Sequence, residues 1–184
     1  MTTGPETRLS LPDRIVAVHR ALRRVPHAFG GALALAYYAE PRATRDIDCN
    51  VFVPTSLAAR VLTPLAKLGA QIAHAGERAE RDGQVRVMWD TTPIDLFFSY
   101  DPFHDAALAG VRTVPFATTS IPILSASHLA VRKAIFDRAR DWVDIDAMLE
   151  HGTALDAPEA LKWVARICGD DDPRFVRLAT VLTT

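Results

Sequence analysis

Between Ala28 and Val53 the chain carries a Gly-Gly pair, a short apolar segment, and two aspartates one residue apart at the head of a strand-like run, Asp46-Ile-Asp-Cys-Asn-Val-Phe-Val53. Aspartate is disfavoured in strands. At positions i and i+2, Asp46 and Asp48 project from one face of such a strand. Ile47, Cys49, Val51 and Val53 project from the other, and their apolar character predicts a core face. Two neighbouring carboxylates repel each other unless a cation lies between them. Hard oxygen ligands suit Mg²⁺ or Mn²⁺. Gly30 and Gly31 let backbone approach a bulky anion, and the helix expected from Ala32 offers unpaired N–H groups to phosphate. A phosphate cradle and a divalent-metal clamp so close in sequence point to chemistry on a nucleoside triphosphate.

A third carboxylate interrupts the apolar run Thr92-Pro-Ile-Asp-Leu-Phe-Phe-Ser99. Ile94, Leu96 and Phe98 fall on one strand face, Asp95 and Phe97 on the other. A buried, unpaired carboxylate is costly. Asp95 therefore lies on a solvated face, pairs with an arginine, or completes a metal site with Asp46 and Asp48. Gln84–Trp89 alternates like a strand, and Asp90-Thr-Thr92 reads as a turn. The resulting hairpin brings Asp95 beside the first two aspartates if the sheet is mixed.

The pattern Gly30-Gly31, fourteen residues, then Asp46-Ile47-Asp48, with a later strand carboxylate, resembles the nucleotidyltransferase superfamily. The palm of that superfamily is similar to the palm of DNA polymerase beta. The local text Arg42-Ala-Thr-Arg-Asp-Ile-Asp48 resembles the AbiEii-type branch, which contains bacterial toxin nucleotidyltransferases. A second resemblance to that branch is the order Lys133, Arg138, Arg140-Asp141, Asp144. It implies that Lys133 meets the triphosphate. The residues alone equally allow an i,i+4 pair between Lys133 and Asp137 on a helix face. Arg138 meets phosphate or caps its helix. Asp141 and Asp144 lie three apart on the next helix and are expected to orient the basic residues. Arg42 matches the family arginine of its turn. The Thr44 hydroxyl bonds a phosphate or stabilises the turn. Tyr37, Tyr38 and Trp142 read first as core and second as stacking surfaces for a base.

The element pattern predicts a mixed α/β (α+β) fold: a palm over residues 1–118, then a helical C-terminal bundle over 119–184 packed on it. Ser10 and Asp13 form a helix start, with the helix running to about Arg24. A strand should lead to Gly30, a buried helix should span 32–39, and a strand 46–53. Thr55 or Ser56 should cap a helix ending near Gly69. After Ile121–Leu124, helices are expected from Ser125 or Ser127 to about Arg138, over 142–150, over 157–168, and from Pro173.

Apolar content of 49% and charged content of 23% are those of an ordinary globule with one sizeable core. The sequence has no apolar run near the ~20 residues of a membrane span and no secretory leader. Cys49 on a core face suits a reducing cytoplasm, and the six histidines lack zinc-like spacing. A net charge of −1 argues against a broad, salt-sensitive nucleic-acid binder. Two basic clusters stand out: Arg8, Arg14, Arg20, Arg23 and Arg24, and then Arg132, Lys133, Arg138 and Arg140. Both read as solvated helix faces, or as guides for a polyanion if they flank one cleft.

The expectation is a nucleotidyltransferase holding two Mg²⁺ (or Mn²⁺) on Asp46, Asp48 and Asp95, the last also close enough to help take a proton. Gly30, Gly31, Thr44, Lys133 and Arg138 would bind the NTP, with Arg42, Asp141 and Asp144 in support. The resemblance implies a toxin acting on RNA, a tRNA end among the candidates, silenced by a cognate antitoxin. A small-molecule acceptor and a catalytically idle nucleotide-binding module are the rivals. Three acidic positions argue against the idle module.

Overall fold

A computed structural model of the chain describes residues 9–183. Helix α1 (Leu11–Ala21) begins at the capping box the sequence predicts. Ser10 Oγ accepts from the Asp13 N–H, and the Asp13 carboxylate accepts from the Ser10 N–H, each at 3.3 Å. The helix stops short of Arg24. Pro26 disfavours helical dihedrals at Val25, and Leu22 and Val25 turn into the core.

Six strands form one mixed sheet: β1 (His27–Phe29), β2 (Ile47–Val51), β3 (Gln84–Trp89), β4 (Thr92–Phe98), β5 (Arg112–Phe116) and β6 (Thr119–Ile123), in the order β3-β4-β2-β1-β6-β5. β2 runs parallel to β4 and antiparallel to β1, while β3 and β4 form the expected hairpin. β6 runs parallel to β1 and antiparallel to β5. The alternation works as predicted. Ile47, Cys49, Val51, Ile94, Leu96 and Phe98 are all buried, each contributing about 1.5–3 kcal/mol if apolar and fully covered. The residues between them on β2 and β4 face the opposite side.

The remaining helices are α2 (Gly31–Leu35), α3 (Ala59–Ala66), α4 (Ala75–Asp82), α5 (Pro102–Ala109), α6 (Ala126–Phe136), α7 (Ala139–Glu150), α8 (Ala157–Cys168) and α9 (Pro173–Thr183). α6 lies at the centre of the C-terminal helices, touching α2, α7, α8 and α9. Several boundaries differ from expectation. The helix after Gly30 has five residues, and its turns continue to Ala39. Residues Thr55–Leu57 form a separate 3₁₀ turn before α3, and neither Thr55 nor Ser56 caps through its side chain. α6 ends at Phe136 because Asp137 takes the left-handed conformation (φ 54°). α7 consequently starts before Trp142 and includes Asp141.

Arg14 fastens α1 to the β3–β4 turn. Its buried guanidinium donates to the Trp89 carbonyl at 2.9 Å and to Asp90 at 2.7 Å, and lies 4.6 Å from the Trp89 ring centroid. The hairpin that carries Asp95 is thus held at both its sheet edge and its tip. Among the described residues no helix is long and apolar enough to cross a membrane.

Candidate active site

The strand register assembles the site. Parallel pairing sets Asp48 beside Asp95, and antiparallel pairing sets Arg86 on the other side of Asp95. Neighbouring strands lie about 4.8 Å apart, so Arg86, Asp95 and Asp48 form a row across the polar face. Asp46 precedes β2 by one residue and completes the acidic group.

The two glycines are required by packing at this spot. Gly30 N–H donates to the Asp48 carbonyl at 2.9 Å. Gly31 has φ 52°, and a Cβ there would collide with the Asp48 carboxylate. A Cβ on Gly30 would come within 3.0 Å of Asn50 Nδ2. The five-residue α2 is too short to supply much dipole, so the glycine loop offers close approach more than a helix terminus.

One cleft is lined by Gly30, Gly31, Arg42, Thr44, Asp46, Asp48, Asp95, Lys133, Arg138 and Asp141. Asp144 lies behind it and is buried. Lys133 is buried too, and donates to Asp144 at 2.5 Å and to Asp141 at 3.5 Å. The alternative pair with Asp137 does not form. Asp137 instead accepts the Trp142 indole N–H at 2.7 Å. Arg42 makes a two-pronged pair with Asp144, both contacts 2.9 Å, and Arg138 a similar pair with Asp141 at 2.7 and 3.2 Å. Asp141 and Asp144 thus each pair with two basic side chains. Thr44 Oγ1 accepts from the Asp46 N–H at 3.3 Å, so the hydroxyl does brace the turn, at the cleft wall.

The electrostatics are uneven. Burial, then the charges of Asp95 and Asp46, push the Asp48 carboxyl up to about 6, against a pull from Lys133 and Arg138. Burial alone would raise Asp144. The hydrogen bonds from Arg42 and Lys133 outweigh it and hold the group below the ordinary carboxylate range. The hydrogen bonds to Asp95 raise Arg86 well above the usual guanidinium value.

Sequence reasoning missed Arg86, although the hairpin turn contains the signal. A two-residue turn at Asp90-Thr91 pairs Trp89 with Thr92, and by counting back pairs Arg86 with Asp95. Phe97 and Phe136, not singled out from the sequence, and Arg132, read there only as part of a basic cluster, line the same cleft. The Arg132 guanidinium is buried 4.3 Å from the Phe97 ring centroid and 4.8 Å from that of Phe136. The second basic cluster is therefore no solvated helix face at Arg132 and Lys133. In the first, Arg14 is buried, Arg8 lies outside the described residues, and Arg20, Arg23 and Arg24 line a different groove with Arg60 and Lys67. The two clusters do not flank one cleft. Tyr38 and Trp142 are core, and Tyr37 donates to the Pro115 carbonyl at 2.6 Å.

The three hard carboxylates Asp46, Asp48 and Asp95 suit a divalent metal ion chemically. Among the described residues, however, no three acidic, histidine or cysteine side chains converge on a common metal-holding point. Asp46 and Asp95 are turned onto Arg86.

The glycine loop and paired strand aspartates on a mixed sheet define a nucleotidyltransferase fold. Solved structures agree. A solution structure of the antibiotic-resistance factor ANT(2″)-Ia is 14% identical, with a TM-score of 0.54, covering 92% of this chain and 89% of that one. A crystal structure of ANT(2″)-Ia with adenylyl-2″-tobramycin is 12% identical, with a TM-score of 0.51, covering 94% and 97%. No curated protein matches the sequence. The family model described as nucleotidyl transferase AbiEii toxin, type IV TA system, matches residues 19–176. The chain belongs to this family and is a nucleotidyltransferase. The family implies a nucleotide substrate and a toxin–antitoxin partner.

Proposed function

We propose that the chain transfers a nucleoside monophosphate from an NTP to an RNA acceptor, a tRNA end among the candidates, releasing pyrophosphate in a divalent-metal-dependent reaction. It would act in the cytoplasm as the toxin that a cognate antitoxin silences. The observation that carries this reading is the register pairing of Asp48 with Asp95 beside a glycine loop that lines the same cleft.

Asp46, Asp48 and Asp95 would hold the ions, Mg²⁺ or Mn²⁺. Metal there supplies charge stabilisation at phosphoryl oxygens and a lower pKa for the attacking hydroxyl. Gly30 and Gly31 let the triphosphate come close to backbone. Arg42, Lys133 and Arg138 are three cations set against two carboxylates, Asp141 and Asp144, and the surplus positive charge faces the cleft. Lys133 is fixed in place by its carboxylates and Arg138 is the more exposed donor. Thr44 keeps the turn before Asp46 in shape. Asp95, whose two carboxylate oxygens both accept from Arg86, is assigned to holding a metal and not to taking a proton.

The rival acceptor is a small molecule, as the solved complex with adenylyl-2″-tobramycin suggests for its own enzyme; the net charge of −1 favours this alternative. The test is incubation of purified protein with each labelled NTP, Mg²⁺ and total RNA, in parallel with aminoglycosides. Label in RNA that disappears with Asp48→Asn supports the proposal. Label on the small molecule alone, or none anywhere, overturns it. Asp48→Asn should lower transfer by roughly 10²-fold or more while the fold survives, because the side chain lies outside the apolar core.

A further inference from the structure

The acidic group already holds a cation supplied by the chain. Arg86 Nε and Nη2 each donate to Asp95 at 2.7 Å, and Nη2 also reaches Asp46 at 3.2 Å. Among the described residues no side chain pairs with the Asp48 carboxylate. The Arg86 contacts use carboxylates that a metal would need. A guanidinium and a divalent ion sharing those oxygens would repel strongly in so confined a space.

We propose that Arg86 is an exchangeable occupant of the metal site, and that a divalent cation binds only as the guanidinium leaves Asp46 and Asp95 for the incoming triphosphate. This rests on the metal-dependent reading above. Three features of the structure support the exchange. Arg86 sits on β3, an edge strand, and its side chain is 55% exposed, so it can swing out without disturbing the core. It lines both the catalytic cleft and a neighbouring hollow shared with Arg78 and Arg138, into which the released side chain can move. A triphosphate is an anion able to receive a two-pronged guanidinium, as the carboxylate did. Nucleotide would thus bring the metal and the new partner for Arg86 together. Free enzyme would bind metal weakly, and the acidic group would not stand as an uncompensated cluster between turnovers.

The test reads metal binding directly. Mn²⁺ is titrated into wild type, Arg86→Gln and Asp48→Asn without nucleotide, and bound ion is followed by loss of the free-ion EPR signal. Arg86→Gln is expected to bind Mn²⁺ roughly tenfold or more tightly than wild type, the scale of one charge-assisted hydrogen bond. A non-hydrolysable NTP analogue should raise the wild-type affinity far more than that of Arg86→Gln. Asp48→Asn should bind poorly in every case. Equal or weaker Mn²⁺ binding by Arg86→Gln overturns the exchange and leaves metal dependence standing. No Mn²⁺ binding by wild type or Arg86→Gln, with or without the analogue, overturns the metal-dependent reading and the exchange with it. Should Arg86→Gln fail to fold, Arg86→Lys carries the comparison. It keeps the charge but loses the two-pronged pairing, so tighter Mn²⁺ binding than wild type supports the exchange and unchanged binding overturns it.

Discussion

Gly31 and Asp48 are one unit. The glycine's positive φ and the carboxylate lying where its Cβ would be mean that the strand aspartate is aimed by a residue with no side chain. Gly31→Ala should therefore cost about 1–3 kcal/mol from backbone strain alone. It should also abolish nucleotide transfer, because Asp48 must move. Urea unfolding and label transfer measured together check this; a stable, active variant would mean that the loop relaxes freely. Lys133 and Arg138 give a second comparison. Removing Lys133 takes a buried cation from two buried carboxylates and leaves each with one arginine, whereas the Arg138 side chain is 70% exposed. Lys133→Ala should destabilise by about 1.5–3 kcal/mol, the scale of lost hydrogen bonds to charged groups, and Arg138→Ala by no more than about 1 kcal/mol. The aspartates and glycines were legible in the sequence because each breaks a local rule, acid in a strand or paired glycine before a helix. Lys133 was legible as a site residue only through resemblance. Its burial depends on where α7 begins, which Asp137 decides by turning left-handed.

At the scale of elements, hairpin register was readable and parallel register was not. A two-residue turn fixes β3 against β4, but nothing local fixes β4 against β2, which a long connection separates. α4 was missed because its segment is almost wholly polar and only Ala75 and Ala79 are buried. α5 was missed although Asp101 caps it, accepting from the Phe103 N–H at 2.8 Å, and Pro102 occupies its first turn. β5 carries Pro115 in its middle, a residue that argues against a central strand, and it is indeed an edge strand. The tie between α1 and the hairpin predicts a further effect. Arg14→Ala leaves the Trp89 carbonyl without its charged donor and should destabilise by about 2–3 kcal/mol. Hydrogen exchange of β3 and β4 should speed up more than that of β5 and β6. Uniform acceleration across the sheet would mean that Arg14 supports the whole molecule and not the hairpin.

Across the whole molecule, the buried histidines set the response to acid. Burial lowers the pKa of His19, His27, His104 and His128 below the ordinary 6.5. The His27 ring explains the sense locally. Its Nδ1–H donates to the Val25 carbonyl at 2.7 Å, which leaves Nε2 to accept from His19 Nδ1–H at 3.0 Å, an arrangement that needs the His27 ring neutral. The unfolded chain therefore takes up protons that the fold refuses. Stability from these groups is fully present above 6.5 and is lost as pH falls through that value. Each contributes a slope of at most about 1.4 kcal/mol per pH unit. Asp48 acts in the opposite sense: its carboxyl is raised to about 6 from 3.8, so the fold favours its proton, and this contribution fades as pH rises through 6. Four groups against one predict a falling thermal midpoint between about pH 7 and about pH 5.5, steeper in Asp48→Asn, where the opposing group is gone. Calorimetry of wild type, Asp48→Asn and His27→Leu over that range checks the balance. A midpoint that stays flat in Asp48→Asn would show that the histidines take up protons as readily in the fold as in the unfolded chain, and that their burial carries no penalty.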